Sequence, residues 1–109
     1  KQLIGWNMEI RESLIINIKS FVTDATELYN VEGKVEKLEY FSLESRISAL
    51  NENDFESNEK YEYFLKYYRQ PERCAKKILL EREFNEDCLS DSKFLGMCNY
   101  FLGIVNWLE

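Results

Sequence analysis

The sequence predicts an all-α protein, an antiparallel bundle of four to five helices with a long N-terminal helix and a largely buried C-terminal helix. The 109 residues include one proline and four glycines, too few for the many turns of an all-β protein. Leu, Ile, Glu and Lys, which favour helix, are abundant. With 45% hydrophobic and 15% aromatic residues the chain can bury a core, and we expect one domain over residues 1–109.

The first helix is predicted over residues 2–30, where apolar residues recur every three or four positions, as the helical period requires. Asn30 and Gly33 are turn residues that end this helix. The apolar residues at helical spacing are Ile4, Met8, Ile15, Ile18, Val22, Ala25 and Tyr29.

The second segment, residues 34–50, allows two interpretations. Val35, Leu38 and Phe41 follow the helical spacing, whereas alternation of apolar and polar residues from position 41 onward, with Glu44 outside, fits a strand. We predict a helix, because turn signals are rare and the chain offers no second strand with which this one could pair.

A polar loop follows, in which Ser57 or Asn58 caps a third helix over residues 59–69. Pro71 suits the first turn of a fourth helix, over residues 71–83, because its missing N–H is not needed there. We expect the fourth helix to bury its apolar residues and to show its basic residues to water. The expected buried residues are Cys74, Ala75, Ile78 and Leu79, and the expected exposed ones are Arg73, Lys76, Lys77 and Arg82.

Ser90 or Asp91 caps the last predicted helix, which has an apolar face for the core and a stripe of small and amide side chains. A glycine inside a helix costs about 1 kcal/mol relative to alanine, so two on one stripe suggest that something closely approaches the backbone. Another helix of the chain, a second molecule or mere exposure to solvent are the open explanations. The core face is Phe94, Cys98, Phe101, Val105 and Leu108, and the helix-contact stripe is Ser92, Gly96, Asn99, Gly103 and Asn106.

The candidate binding surface is aromatic and basic. Residues 66–82 contain six Lys and Arg but only two Glu, in a chain of net charge -6, so they produce a local positive field. Tyr63 and Tyr67 lie off the predicted core face, and partly exposed tyrosines beside cations are typical of docking surfaces. A solvated face with ordinary ion pairs is the alternative. The predicted partner-binding residues are Tyr63, Lys66, Tyr67, Arg69, Arg73, Lys76 and Lys77.

Catalytic, cofactor and metal sites are not expected. The chain has no histidine, the commonest general base, and Cys74, Cys88 and Cys98 are too far apart in sequence for a compact zinc site. Buried structural thiols are the expected role of the cysteines. The acidic stretches lack the alternating ligands and central glycine of a calcium loop.

We therefore expect a non-enzymatic scaffold or adaptor module that binds another protein or an acidic peptide. One alternative is an anionic ligand, either an RNA phosphate backbone or a phosphoinositide head group, bound to residues 66–82, which we call the basic patch. The other is homo-oligomerisation through the C-terminal helix. Nucleic acid fits less well, because the sequence pI is about 4.8.

The first residue and the cysteines indicate the origin and the cellular location of the chain. It begins with Lys1 rather than methionine, and we expect a domain excised from a larger protein. Reduced thiols indicate an intracellular location, cytoplasmic or nuclear. No segment has the roughly 18 consecutive apolar residues of a membrane span.

Overall fold

The computed structural model describes residues 8–85 and 89–109, and these ranges contain helices and no strand. A single 3-10 turn, Glu52–Asp54, separates the second and third α-helices. The structure confirms the predicted all-α bundle, including a helix where a strand was the alternative. The start of the first predicted helix at residue 2 and the predicted role of Cys88 lie outside the described residues. The helices are α1 (Met8–Glu32), α2 (Lys37–Ser48), α3 (Asn58–Tyr68), α4 (Pro71–Asn85) and α5 (Asp91–Leu108).

The helix ends follow from local chemistry. Gly33 has a φ of 68°, a left-handed conformation that favours glycine, and its N–H donates to the Tyr29 carbonyl at 2.8 Å. The Ser57 and Ser90 hydroxyls accept hydrogen bonds from the third backbone N–H after each cap, at 3.2 and 3.4 Å. Pro71 is the first residue of α4, as predicted.

The core forms around α5, which packs against α1 and α3. Phe101 and Ile104 have no exposed surface, and the Phe101 ring lies edge-on to Phe21 of α1, 5.4 Å between centroids. All five residues predicted for the core face of α5 are buried. The stability of the bundle therefore comes mainly from apolar burial around one central helix.

A second contact joins the end of α1 to the start of α5. The Tyr29 ring stacks on Phe94 with centroids 4.1 Å apart and planes at 5°. The Tyr29 hydroxyl donates to the Leu89 carbonyl at 3.2 Å and to the Asp91 carboxylate. This contact fixes the register of the two longest helices.

The predicted buried face of α4 is wrong. Cys74, Ala75, Ile78 and Leu79 are exposed, Ile78 by 61%, whereas Leu80 and Phe84 are buried. The physical reason is that α4 extends past the predicted end to place Phe84 against Tyr40 of α2, with centroids 5.0 Å apart. This anchor turns the helix, so that two basic residues also face the bundle.

The face of α2 also differs from the predicted one. Leu38 and Phe41 follow the helical spacing that indicated a helix, but they are 83% and 40% exposed. Tyr40, Leu43 and Ile47 form the buried face instead. The charged residue Glu44 lies on this face with them.

The two glycines of α5 have different surroundings. A Cβ at Gly103 would overlap the hydroxyl and ring of Tyr67 in α3, so this glycine permits close packing of α3 on α5. A Cβ at Gly96 would meet nothing within 4 Å. The contact expected from the stripe is therefore internal at Gly103, whereas Gly96, Asn99 and Asn106 are exposed.

We predict that the same substitution has opposite effects at the two glycines. Gly103→Ala should lower the free energy of unfolding by about 1–3 kcal/mol, because Tyr67 must move. Gly96→Ala should raise it by about 0.5–1 kcal/mol, since alanine favours helix and finds open space. Urea unfolding followed by circular dichroism measures both, and a gain in stability for Gly103→Ala would contradict the packing described.

Candidate functional site

Arg73 is held between two tyrosine rings. Its guanidinium carbon lies 3.8 Å from the Tyr67 ring centroid and 4.9 Å from that of Tyr100, and its Nε donates to the Tyr67 carbonyl at 3.0 Å. Arginine suits such a site because its planar, weakly hydrated group stacks on aromatic faces. Arg73, predicted to be exposed, is therefore half-buried and fixed in position.

The aromatic residues continue from this sandwich across the surface of α3 and α5. Trp107 lies beside both Tyr63 and Tyr67, with centroid distances of 6.1 and 6.0 Å. The Lys66 ammonium lies 5.8 Å from the centroid of the Tyr63 ring, which is 48% exposed. The predicted aromatic surface thus has an exposed end at Tyr63 and a half-buried end at Tyr67.

Beside Arg73 a buried carboxylate carries a network of polar groups. Glu44 is only 5% exposed; its Oε2 lies 2.7 Å from Lys77 Nζ, and its Oε1 accepts a hydrogen bond from the Tyr100 hydroxyl. Burial lowers the pKa of Lys77, but the hydrogen bond and charge of Glu44 outweigh this and raise it. Lys77 is therefore half-buried rather than exposed as predicted, because it neutralises Glu44.

A cleft of about 460 Å³ opens between α4 and α5, and we call it the α4–α5 cleft. Its lining contains four cationic residues, Arg73, Lys76, Lys77 and Lys93, and one acidic residue, Glu72. Lys76 is exposed and has no ion pair within residues 8–85 and 89–109, and Lys93 Nζ lies 3.8 Å from a Glu83 carboxylate oxygen. A concave surface in which one sign of charge predominates concentrates its electric field on a ligand that enters it.

The walls of the cleft combine aromatic, apolar and neutral polar groups. The aromatic and apolar part lies next to the cations, and the neutral polar part comes largely from α5. The aromatic and apolar residues are Tyr40, Tyr67, Tyr100, Leu80 and Met97, the neutral polar ones are Gln70, Ser92 and Asn99, and Gly96 contributes backbone only. Such a lining can bind an anionic group together with an attached apolar one.

The structure thus joins part of each surface predicted from the sequence. One cleft is lined by four residues of the partner-binding set, Tyr67, Arg73, Lys76 and Lys77, and by three of the stripe, Ser92, Gly96 and Asn99. The other predicted residues lie outside it: Tyr63, Lys66 and Arg69 on one side, and Gly103 and Asn106 further along α5.

Glu44, Lys93 and Tyr100 are among the residues of the site that were not predicted, and the others in the cleft lining are Tyr40, Gln70, Glu72, Leu80 and Met97. Glu44 follows Tyr40 by four positions, a spacing that shares a helix face and could have placed it inside. Lys93 and Tyr100 adjoin stripe residues, but only the packing of α4 beside α5 brings them to the basic patch.

The described residues contain no group of three or more acidic or thiol side chains arranged to hold a metal ion. No helix within them is long and apolar enough to cross a membrane. Comparison with protein-family models, with curated proteins and with solved structures finds no significant match. The geometry and charge of the α4–α5 cleft therefore carry the functional proposal.

We predict that Glu44 and Lys77 are energetically coupled. Glu44→Gln should lower the free energy of unfolding by about 1–2 kcal/mol, because Lys77 loses its charged partner. The loss would be larger if Lys77 were fully buried, but part of its side chain contacts water. A double-mutant cycle with Lys77→Met should give a coupling of about 1 kcal/mol.

The exposed pair of Glu56 and Lys60, with Nζ 3.0 Å from the carboxylate, is the matched control for this cycle. Its coupling should be below about 0.5 kcal/mol. Equal couplings for the two pairs would show that burial of Glu44 adds nothing to the interaction.

We further predict a loss of stability in alkali. The pKa values of Tyr40, Tyr68 and Tyr100 are raised above the ordinary 10.0, first by burial and second by the charge of Glu44. The pKa of Tyr29 is raised to about 12, chiefly by its hydrogen bond to Asp91. The contribution of these four protonated tyrosines to the free energy of unfolding is complete below pH 10.0, where the unfolded chain also keeps their protons. It falls as the pH rises from 10.0 toward the pKa values of the tyrosines in the folded protein.

Urea midpoints measured between about pH 9 and about pH 11 should therefore decrease. Tyr100→Phe should have a lower urea midpoint than the parent at the start, because it removes the hydrogen bond to Glu44. Its midpoint should decrease less than the parent's over this pH range. Tyr63→Phe, which removes an exposed hydroxyl, should keep the parent's slope, and a slope unaffected by Tyr100→Phe would refute the assignment.

Proposed function

We propose that this protein is a non-enzymatic helical interaction module that binds an acidic segment of a partner protein in the α4–α5 cleft. The observation that carries the proposal is the charge of the cleft, whose lining has four cationic residues against one acidic residue in a protein of net charge -6. Electrostatic complementarity of this kind favours an anionic occupant and excludes a cationic one.

The cations of the cleft divide into two pairs. Arg73 and Lys77 are already engaged by tyrosine rings and by Glu44, so both are fixed in position, and Arg73 keeps its net positive charge. Lys76 and Lys93 lie on opposite helices, one exposed and the other 3.8 Å from Glu83. These two lysines are the groups that a carboxylate of the partner would contact directly.

The acidic remainder of the protein favours a short segment over a long polyanion. Outside the basic patch the chain is strongly acidic, so an RNA backbone or an anionic membrane would meet repulsion around a small attractive cleft. A peptide that enters the cleft with a few carboxylates avoids this repulsion. The tyrosines at the cleft add contact area at low entropic cost.

The thiols support an intracellular setting for this module. Cys74 is a free and exposed cysteine, and Cys98 is free and buried. An exposed free thiol persists more readily in a reducing compartment. The prediction that Cys74 is buried is wrong, whereas Cys98 is buried as predicted.

We predict that charge reversal within the cleft weakens binding of acidic peptides. The double variant Lys76→Glu with Lys93→Glu should bind a labelled oligoglutamate peptide at least about tenfold more weakly, since two attractive contacts become repulsive. Arg82→Glu with Lys34→Glu makes the same change of net charge at exposed residues outside the cleft lining. This control should bind within about threefold of the parent.

Fluorescence anisotropy at fixed, physiological salt measures these affinities, and circular dichroism checks that each variant is folded. Equal weakening by both double variants would mean that only net charge matters and would refute the cleft as the site. Tighter binding of an RNA oligonucleotide or of phosphoinositide vesicles than of the peptide, with a steep dependence on salt, would favour those ligands instead.

A further inference from the structure

Gly96 is a glycine that the protein's own packing does not explain. It lies inside α5 with no left-handed backbone, and a Cβ there would meet no atom within 4 Å. At Gly103, by contrast, Tyr67 occupies the space of the missing side chain. Helix propensity disfavours glycine in such a position, so the exposed backbone at Gly96 calls for another reason.

The location of Gly96 supplies that reason. It lies in the wall of the α4–α5 cleft, four residues before Tyr100, whose half-buried ring lines the cleft on the same side of α5. The cationic Lys93 lies three residues earlier and therefore on the same side of the helix. The missing side chain thus leaves open backbone between an apolar surface and a positive charge.

We infer that the acidic segment bound in the cleft carries an apolar or aromatic side chain that packs against Gly96. This inference rests on the proposed function and specifies the ligand further, as an extended peptide in which an apolar residue lies between acidic ones. Its carboxylates contact Lys76 and Lys93, and its apolar side chain covers the backbone of Gly96 and the exposed part of the Tyr100 ring. Gly96 is then the residue that determines which peptides the cleft admits.

The chemistry of the lining supports a mixed ligand over a purely acidic one. The half-buried rings of Tyr67 and Tyr100 offer apolar surface beside the cations, and a carboxylate alone would leave the exposed part of these rings in contact with water. An aromatic side chain removes it from water and gains contact with the tyrosine rings.

Two labelled peptides test this inference, one of glutamates with a central phenylalanine and one with serine at that position. The parent protein should bind the phenylalanine peptide about tenfold more tightly, because one aromatic side chain is withdrawn from water. Gly96→Leu should abolish this preference, since the leucine side chain occupies the space. Asn106→Leu, which adds the same side chain at an exposed position of α5 outside the cleft lining, should preserve it.

Melting temperatures verify the fold of the variants, and Gly96→Leu should not melt below the parent, because leucine favours helix more than glycine. If Gly96→Leu does melt lower, Gly96→Ala takes its place and should reduce the preference about threefold, since a single methyl group fills less of the space.

A preference that persists in Gly96→Leu, or in the substitute Gly96→Ala, would overturn the inference. The proposed function would survive that result as long as Lys76→Glu with Lys93→Glu still weakened binding of both peptides. If that double variant bound both peptides as the parent does, the proposed function would fail and the inference with it. Displacement of the peptides by inorganic phosphate at comparable concentration would indicate an isolated phosphate site and would also overturn the inference.

Discussion

The buried carboxylate of Glu44 is the constraint on which the arrangement of α4 depends. A charge with 5% exposure needs a partner, and Lys77 and the Tyr100 hydroxyl supply two. Satisfying Glu44 requires α4 to turn its basic residues toward α2 and α5. The same rotation exposes Cys74 and Ile78, which were predicted to be buried in the apolar core.

This rotation also creates the cleft. The close helix pairs in the described part of the chain are α1 with α5, α1 with α2 and α3 with α5, whereas α4 is attached mainly through side chains. Leu80 and Phe84 anchor it, and Arg73 bridges the remaining distance by stacking between Tyr67 and Tyr100. The α4–α5 cleft lies beside these contacts and is lined by Leu80, Arg73, Tyr67 and Tyr100.

Stability and binding therefore use neighbouring but different cations. Arg73 and Lys77 are bound by groups of the protein itself, and they are poor choices for testing recognition because their replacement also disturbs folding. Lys76 and Lys93 lie at the surface of the same cleft and carry little of the core. Because Glu44 offsets the charge of Lys77, the positive field comes from the other three cations, and the contacts open to a ligand belong to Lys76 and Lys93.

The sequence by itself determined the helical class, the helix ends at Gly33, Ser57 and Pro71, and the core face of α5. These features depend on local periodicity and capping, which act between residues a few positions apart. Only the tertiary structure decided which face of α4 is buried, because its apolar and basic stripes compete and the outcome depends on two residues of α2, Tyr40 against Phe84 and Glu44 against Lys77. Packing also decided that residues of the basic patch and Gly96 line the same cleft, since sequence spacing carries no information about which helices lie side by side.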